Sequence, residues 1–278
     1  VKKYIVAVSG GVDSVVLLDM LVKQSDAELI VAHFDHGIRE DSREDAELVK
    51  NLAEKYNLKF ETKREELGPN ASEEKARDRR YAFLNYLSKK YNAQIVTAHH
   101  SDDIIETIAI NLHRKTGWRG LSVMDSETLR PLLDKTKEEI LDYAKINKLE
   151  WREDSTNDSD KYLRNKMRKK MSNISLDNQR QILALRSAQV EIKNLIDREV
   201  KSILAHEDNI DSRYFITHID EPSALELIRK LTEGKLTRPQ ARRMIHSIKT
   251  SKHGKKYEAG AGVDIDFSSR KFTVRMLK

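Results

Sequence analysis

The sequence contains no cysteine. Disulfides, thiolate zinc sites and cysteine nucleophiles are thereby excluded, and a reducing, cytoplasmic setting fits. It also lacks any uninterrupted apolar run approaching the roughly 20 residues of a membrane-spanning helix, so a soluble protein without a membrane partner is expected. The opening Val1-Lys2-Lys3 leads straight into Tyr4-Ile5-Val6-Ala7-Val8. That stretch is too short for a signal sequence, has no small-residue cleavage site, and reads as a first strand. Internal repeats and low-complexity tracts are also missing. What is there is a chain of 278 residues, 38% apolar and 35% charged, long enough for one large domain or two smaller ones. Lys+Arg 51 against Asp+Glu 45 gives a net charge of +6, which fits a polyanionic partner without demanding one.

The first half alternates β-rich runs with helical periodicities. Strands are expected near residues 4–8, 29–34, 59–61 and 94–98, and helices near 14–21, 42–56, 72–91 and 102–112. Such alternation predicts an α/β fold: a parallel sheet with helices on both faces, binding ligands at the carboxyl ends of its strands. The polar clusters at 9–14, 33–39 and 99–103 each follow a strand and are expected on one rim. Farther on, 136–146 is helical, 151–170 is polar and irregular, and 176–206 has the spacing of a long helix. Two short helices follow, one over 222–233 stopping at Gly234, the other starting at Thr237 with Gln240 completing a capping box. Val263, Ile265 and Phe267, then Phe272, Val274 and Met276, alternate as in a terminal β-hairpin. The expected organisation is a first domain over 1–172, a linking helix over 173–206 and a small, mainly helical domain over 207–278.

The string Ser9-Gly10-Gly11-Val12-Asp13-Ser14 joins the first strand to the first helix. Two glycines let the backbone turn tightly and approach a ligand. The N–H groups of Val12 to Ser14 are the unpaired donors of a helix start, suited to anionic oxygens, and Ser9 and Ser14 add hydroxyls. Asp13 is out of place in an anion site unless a Mg²⁺ ion lies between it and phosphates. A glycine turn feeding a capped helix is the plain alternative; the full string directly after the opening strand argues against it. The loop is neither Gly-x-x-x-x-Gly-Lys-Ser/Thr nor Gly-x-Gly-x-x-Gly. It resembles the Ser-Gly-Gly-x-Asp-Ser signature of the PP-loop ATP pyrophosphatases. That resemblance implies a Rossmann-like domain that cuts ATP between its α- and β-phosphates and adenylates a substrate oxygen.

Four further stretches narrow the family: His33-Phe34-Asp35-His36-Gly37-Ile38-Arg39; Glu74-Lys75-Ala76-Arg77-Asp78-Arg79-Arg80-Tyr81; Thr97-Ala98-His99-His100-Ser101-Asp102-Asp103-Ile104-Ile105-Glu106-Thr107; and Glu153-Asp154-Ser155-Thr156-Asn157-Asp158, running on to Tyr162-Leu163-Arg164-Asn165-Lys166-Met167-Arg168. In this order, and with Arg119-Gly120-Leu121, they resemble the tRNA(Ile)-lysidine synthase family. Phe34 stands where that family often has a small or β-branched residue. The resemblance implies ATP-dependent attachment of free L-lysine to the wobble cytidine of the CAU anticodon of tRNA(Ile), with ATP and Mg²⁺ at Ser9 to Ser14. It also implies that the chain, at this length, lacks the extra C-terminal domain of longer relatives.

The residues carry their own arguments. Asp103 and Glu106, three apart at a helix start, share a face and can hold a lysine ammonium or a metal; acidic residues also simply favour helix N-termini. His99 and His100 end a strand at the ligand rim, where one can contact a phosphate or shuttle a proton and the other be structural. Arg77 and Arg80 suit charge stabilisation on a transferring phosphoryl group, or a solvated face paired with Glu73 and Glu74. The candidate catalytic set is therefore Asp13, Arg77, Arg80, His99, Asp103 and Glu106. Lys161, Arg164, Lys166, Arg168, Lys169 and Lys170, with Tyr162 among them, read as a phosphate track for tRNA with one stacking platform. Arg238, Arg242, Arg243, Lys249, Lys252, Lys255 and Lys256 form a second basic group in the small domain. Competing functions are another PP-loop enzyme, such as one that puts sulfur on tRNA, and a non-catalytic RNA-binding protein on the same fold. The sequence leaves the oligomeric state open, a homodimer included.

Overall fold

The computed structural model describes residues 2–37, 42–68, 71–152, 163–171, 174–206 and 210–277. Two compact units result, Val1–Val190 and Glu191–Lys278, and the division falls inside the long helix rather than at either end of it.

The first unit is built on four parallel strands, β1 (Lys3–Ala7), β2 (Glu28–Asp35), β3 (Lys59–Arg64) and β4 (Gln94–Val96), in the order β3-β2-β1-β4. Alternation splits each central strand between two cores, which is why Tyr4–Ala7 of β1 and Leu29–Ala32 of β2 are continuous apolar runs. Val6, Leu29, Val31 and Val96 face a cluster shared with helices α1 (Val12–Gln24), α2 (Ser42–Lys55) and α5 (Lys137–Ile146). Ile5, Ile30, Ala32, Phe34 and Ile95 face α3 (Glu73–Tyr91) through Phe83, Leu84 and Leu87. Helix α4 (Ser101–His113) follows β4 and packs through Ile104 and Ile108 beside Val123. Strand order reverses between β1 and β4, so the loops after these two strands meet at the switch point where such sheets bind ligands.

Several helix ends were written locally. Ser72 caps α3 by accepting the Lys75 N–H at 3.1 Å, and Thr136 with Glu139 closes a capping box on α5. Behind the glycine loop, Asp19 on α1 is 2% exposed and ionised. Burial opposes its charge, but Lys23 Nζ at 2.8 Å and the Tyr56 and Tyr143 hydroxyls at 2.7 and 2.8 Å outweigh that and lower its pKa. One carboxylate thus ties α1 to α5 and to the turn that follows α2.

The second unit packs α8 (Arg213–His218), α9 (Glu221–Leu231) and α10 (Arg238–Thr250) on an antiparallel sheet of β5 (Lys256–Gly260), β6 (Val263–Phe267) and β7 (Phe272–Met276). Ile216, Leu227, Ile228, Met244 and Ile265 form its core. The expected hairpin is therefore a three-stranded sheet; β5 was hidden because only Ala259 is buried along it. Helix α8 has six residues, too few to show a period. Helix α6 (Leu163–Met171) lies in the stretch read as irregular, its basic residues masking the four-residue step from Met167 to Met171. The long helix, α7, spans Leu176–His206 as expected. Among the described residues no helix is long and apolar enough to cross a membrane.

Candidate active site

A cleft of about 490 Å³ opens at the carboxyl ends of β1, β2 and β4. All three polar clusters reach it: Ser9, Gly11, Asp13 and Ser14 after β1, His33 to Gly37 on and after β2, and Thr97, Ala98, His99 and Asp103 after β4.

The glycine loop is held by its own serines. Ser14 Oγ donates to the Gly11 carbonyl at 2.8 Å and accepts the Ser9 N–H at 3.1 Å. Gly10 has φ +96°, a conformation that side chains resist. Its carbonyl accepts the Arg152 N–H at 3.0 Å, which fixes the turn from outside. Gly10 and Val12 shape the loop without lining the cleft; Val12 belongs to the core. The first N–H groups of α1 have no partner four residues back, so this helix start is an anion cradle.

Asp13 is held on one side by Lys137 Nζ at 2.6 Å, while its other oxygen lies 3.9 Å from His100 Nε2. Among the described residues no group of three or more acidic or histidine side chains forms a metal cage. One half-exposed carboxylate beside an anion cradle fits a hydrated Mg²⁺ ion held mainly by phosphate oxygens, with Asp13 as its protein ligand.

The other end of the cleft differs from expectation. Asp103 accepts the His100 N–H at 3.0 Å and Arg164 Nη2 at 3.1 Å. Glu106, 4% exposed, accepts Arg164 Nε at 3.0 Å and Arg168 Nε at 2.5 Å. The acidic pair is therefore already neutralised by arginines from α6. Within the expected tRNA track, Arg164 and Arg168 pair with these carboxylates, while Lys166, Lys169 and Lys170 are exposed on α6. Lys161 and Tyr162 lie outside the described residues, as do Ile38, Arg39 and the run from Glu153 to Asp158.

Arg77 and Arg80 also part company. Arg80 lines the cleft, whereas Arg77 is exposed and stacks over the Tyr81 ring at 5.0 Å. Burial, with Arg77 and Arg164 nearby, weakens the hold of Arg80 on its proton.

The histidine pKa values move in opposite directions. His99 is hydrogen-bonded through Nδ1 to Thr97 Oγ1 at 2.8 Å. Burial, aided by Arg130, Arg80 and Arg164, lowers its pKa to about 4, so it is neutral at pH 7. His36 is likewise lowered to about 4, by burial and Arg80. His33 donates from Nδ1 to the Val8 carbonyl at 2.9 Å, and burial keeps it neutral, leaving its buried Nε2 as an unfilled acceptor in the cleft wall. For His100 burial also opposes charge, but Asp102, Asp103 and Asp13 outweigh it and raise the pKa.

Sequence reasoning missed Lys137, Asp45 and Arg152. Arg152 lines the cleft, pairs with Asp45 at 2.8 Å and with Glu44, and its neighbourhood to Gly10 had no local signal.

A PP-loop domain model matches residues 1–174. The tRNA(Ile)-lysidine synthase of Thermotoga maritima is 31% identical, over 95% of this chain and 68% of that protein. The chain belongs to the tRNA(Ile)-lysidine synthase family. Family members from Mycoplasma mycoides and Lactobacillus johnsonii are 37% and 40% identical, covering 77% and 60% of this chain and 57% and 42% of those proteins. The chain thus spans about half the length of these relatives. Among solved structures, the U34-tRNA thiolase NcsA of Methanococcus maripaludis shares the fold at TM-score 0.58 and 17% identity, over 69% of this chain and 72% of that one.

Proposed function

We propose that this protein uses ATP to join free L-lysine to C2 of the wobble cytidine in the CAU anticodon of tRNA(Ile), releasing AMP and pyrophosphate. One observation carries the reading: the helix start after Ser9–Gly11 and the carboxylate of Asp103, backed by the buried Glu106 through their shared partner Arg164, meet at one cleft in a chain of the lysidine synthase family. In the first step the cytidine O2 attacks the α-phosphorus of ATP and pyrophosphate leaves. In the second the ε-amine of lysine attacks the activated C2, sheds its protons, and AMP leaves.

The chain's residues divide this work. Ser9, Ser14 and the first N–H groups of α1 grip the departing pyrophosphate, and Arg80 offsets charge on the phosphoryl group. A Mg²⁺ ion at Asp13 would supply further charge neutralisation when bound. Asp103 and Glu106 bind the amine, sharing it with Arg164 and displacing Arg168, the more exposed of the two arginines at 44% against 22%. Neutral His99 offers a hydrogen-bond acceptor beside Asp103. A target base in a single-stranded loop needs little energy to flip into the cleft. A sulfur-transferring alternative on the same fold is disfavoured by the absence of cysteine in this sequence.

The test is incubation with ATP, Mg²⁺, labelled lysine and unmodified CAU-anticodon isoleucine tRNA, with methionine tRNA as control. ATP-dependent labelling of the isoleucine tRNA alone is expected. Pyrophosphate release with a different acceptor, and no lysine label, would leave the adenylation chemistry and remove the lysidine assignment.

A further inference from the structure

The far end of α4 carries a surface that the reaction above does not use. From Thr107 to Met124, between Glu106 and Asp125, the chain has no acidic residue, although 35% of the whole sequence is charged. Within that run His113, Arg114 and Lys115 are exposed, and Trp118 and Arg119 follow, half-buried, in a turn of 3-10 helix. The Arg119 guanidinium lies 4.6 Å from the Trp118 ring centroid. Among the described residues neither Arg114 nor Lys115 has an acidic partner.

The loop is rigidly built. Lys115 sits at φ +54°, a conformation that glycine usually supplies at a helix end. Asn111 Nδ2 donates to the Gly120 carbonyl at 2.7 Å, and its own carbonyl accepts Thr116 Oγ1 at 3.0 Å. A Cβ on Gly120 would stand 2.0 Å from Thr116 Oγ1, so only glycine permits this closure. Below, Arg186 donates to the Val123 carbonyl at 2.9 and 3.0 Å. A fixed loop that presents the exposed cations Arg114 and Lys115 beside a flat aromatic ring matches an RNA strand: phosphates for the cations, a base face for the ring. Helix α4 has 13 residues, and its axis carries the patch about 18 Å from the Asp103 end of the cleft.

We propose that Arg114, Lys115 and the Trp118–Arg119 stack form an RNA-docking platform that holds the substrate RNA while its target base enters the cleft. The proposal rests on the RNA-substrate reading and adds a place and a mode of contact. A CAU anticodon stem–loop is titrated into the full chain, as wild type, Trp118→Phe, Trp118→Ala and Arg114→Glu/Lys115→Glu. Tryptophan emission of the wild type should be quenched, and Trp118→Phe should bind nearly as well with that quench lost. Trp118→Ala should weaken binding about tenfold. The double reversal should weaken it and flatten the slope of log affinity against log salt by roughly 1 to 2. ATP affinity should be unchanged in the three variants. A quench that survives in Trp118→Phe, with affinity and salt slope unchanged in the other variants, places the RNA elsewhere and overturns the platform alone. A wild type that binds no RNA overturns both readings, and an acidic peptide or anionic vesicle that competes as well as RNA assigns the patch to another partner.

Discussion

The two ends of the cleft are built on opposite plans. The anion end consists of six consecutive residues, Ser9 to Ser14, shaped by hydrogen bonds within the loop that span at most five positions, with Arg152 and Lys137 bracing it from outside. The cation end is assembled from α4 and α6, and its bonds join residues 58 to 62 positions apart. The first is backbone and hydroxyl, ready to receive charge. The second consists of carboxylates whose charge is already matched, so a ligand there must share or exchange partners. A local site can be read from a string; an assembled one cannot, because its state depends on what the fold brings in from elsewhere.

Replacing Asp103 by Asn should break the cation end most severely. It removes one of the three carboxylates paired with Arg164 and one of the two offered to the incoming amine, and kcat/KM for lysine should fall roughly 100-fold or more, with ATP binding retained. Steady-state kinetics with a melting curve as control would check it; a variant with unchanged lysine kinetics would exclude Asp103 from amine binding. Acid comes next. His36 and His99 have folded values of about 4 against 6.5 for the free side chain, so the unfolded chain binds more protons between those pH values. Stability should therefore drop as pH falls from 6.5 towards 4, by a few kcal/mol in all. His100 acts in reverse, since its raised pKa stabilises the fold below 6.5 and that contribution is lost as pH rises through its folded value. Melting temperature against pH should flatten in the His36→Asn/His99→Asn protein.

Ser14→Ala probes the anion end. The loop loses a hydroxyl that bridges Ser9 and Gly11, and KM for ATP should rise about tenfold while KM for lysine is unmoved. Equal changes in both would mean that the two ends are not separable. The smallest effect is expected on the outer face of α6. Reversing Lys169 and Lys170 to Glu should weaken tRNA binding severalfold and flatten its salt dependence, whereas the inward Arg168→Ala should leave the salt slope alone and lower KM for lysine.

The contrast also explains what was legible. The parallel sheet, the loop Ser9 to Ser14 and the rim formed after β1, β2 and β4 follow from strand–helix alternation and from residues that are neighbours in the chain. Asp103 and Glu106 were legible as an acidic pair because three residues of helix put them on one face. Their partners were not. Arg164 and Arg168 belong to a basic run that reads as a phosphate track for tRNA, and nothing local shows that two of its members pair with carboxylates. Arg77 and Arg80 show the same limit, as both guanidinium groups lie near the Tyr81 ring yet only Arg80 lines the cleft while Arg77 is exposed. The tie between Lys137 and Asp13 crosses 124 positions and left no trace in either segment. In the second unit β5 escaped notice because its alternation is short, Tyr257 and Ala259 against Lys256 and Glu258, and buries only Ala259.

Asp19 lies midway along α1, behind the loop, with its oxygens engaged by Tyr56, Tyr143 and Lys23. The helix is in effect a post cemented at mid-height, with the phosphate grip at its free top. Rolling or sliding that post would strand a buried charge, so ligands that come and go leave it still. Adjustment then falls to the parts around it, and the grip serves as the fixed datum against which the rest of the cleft is aligned.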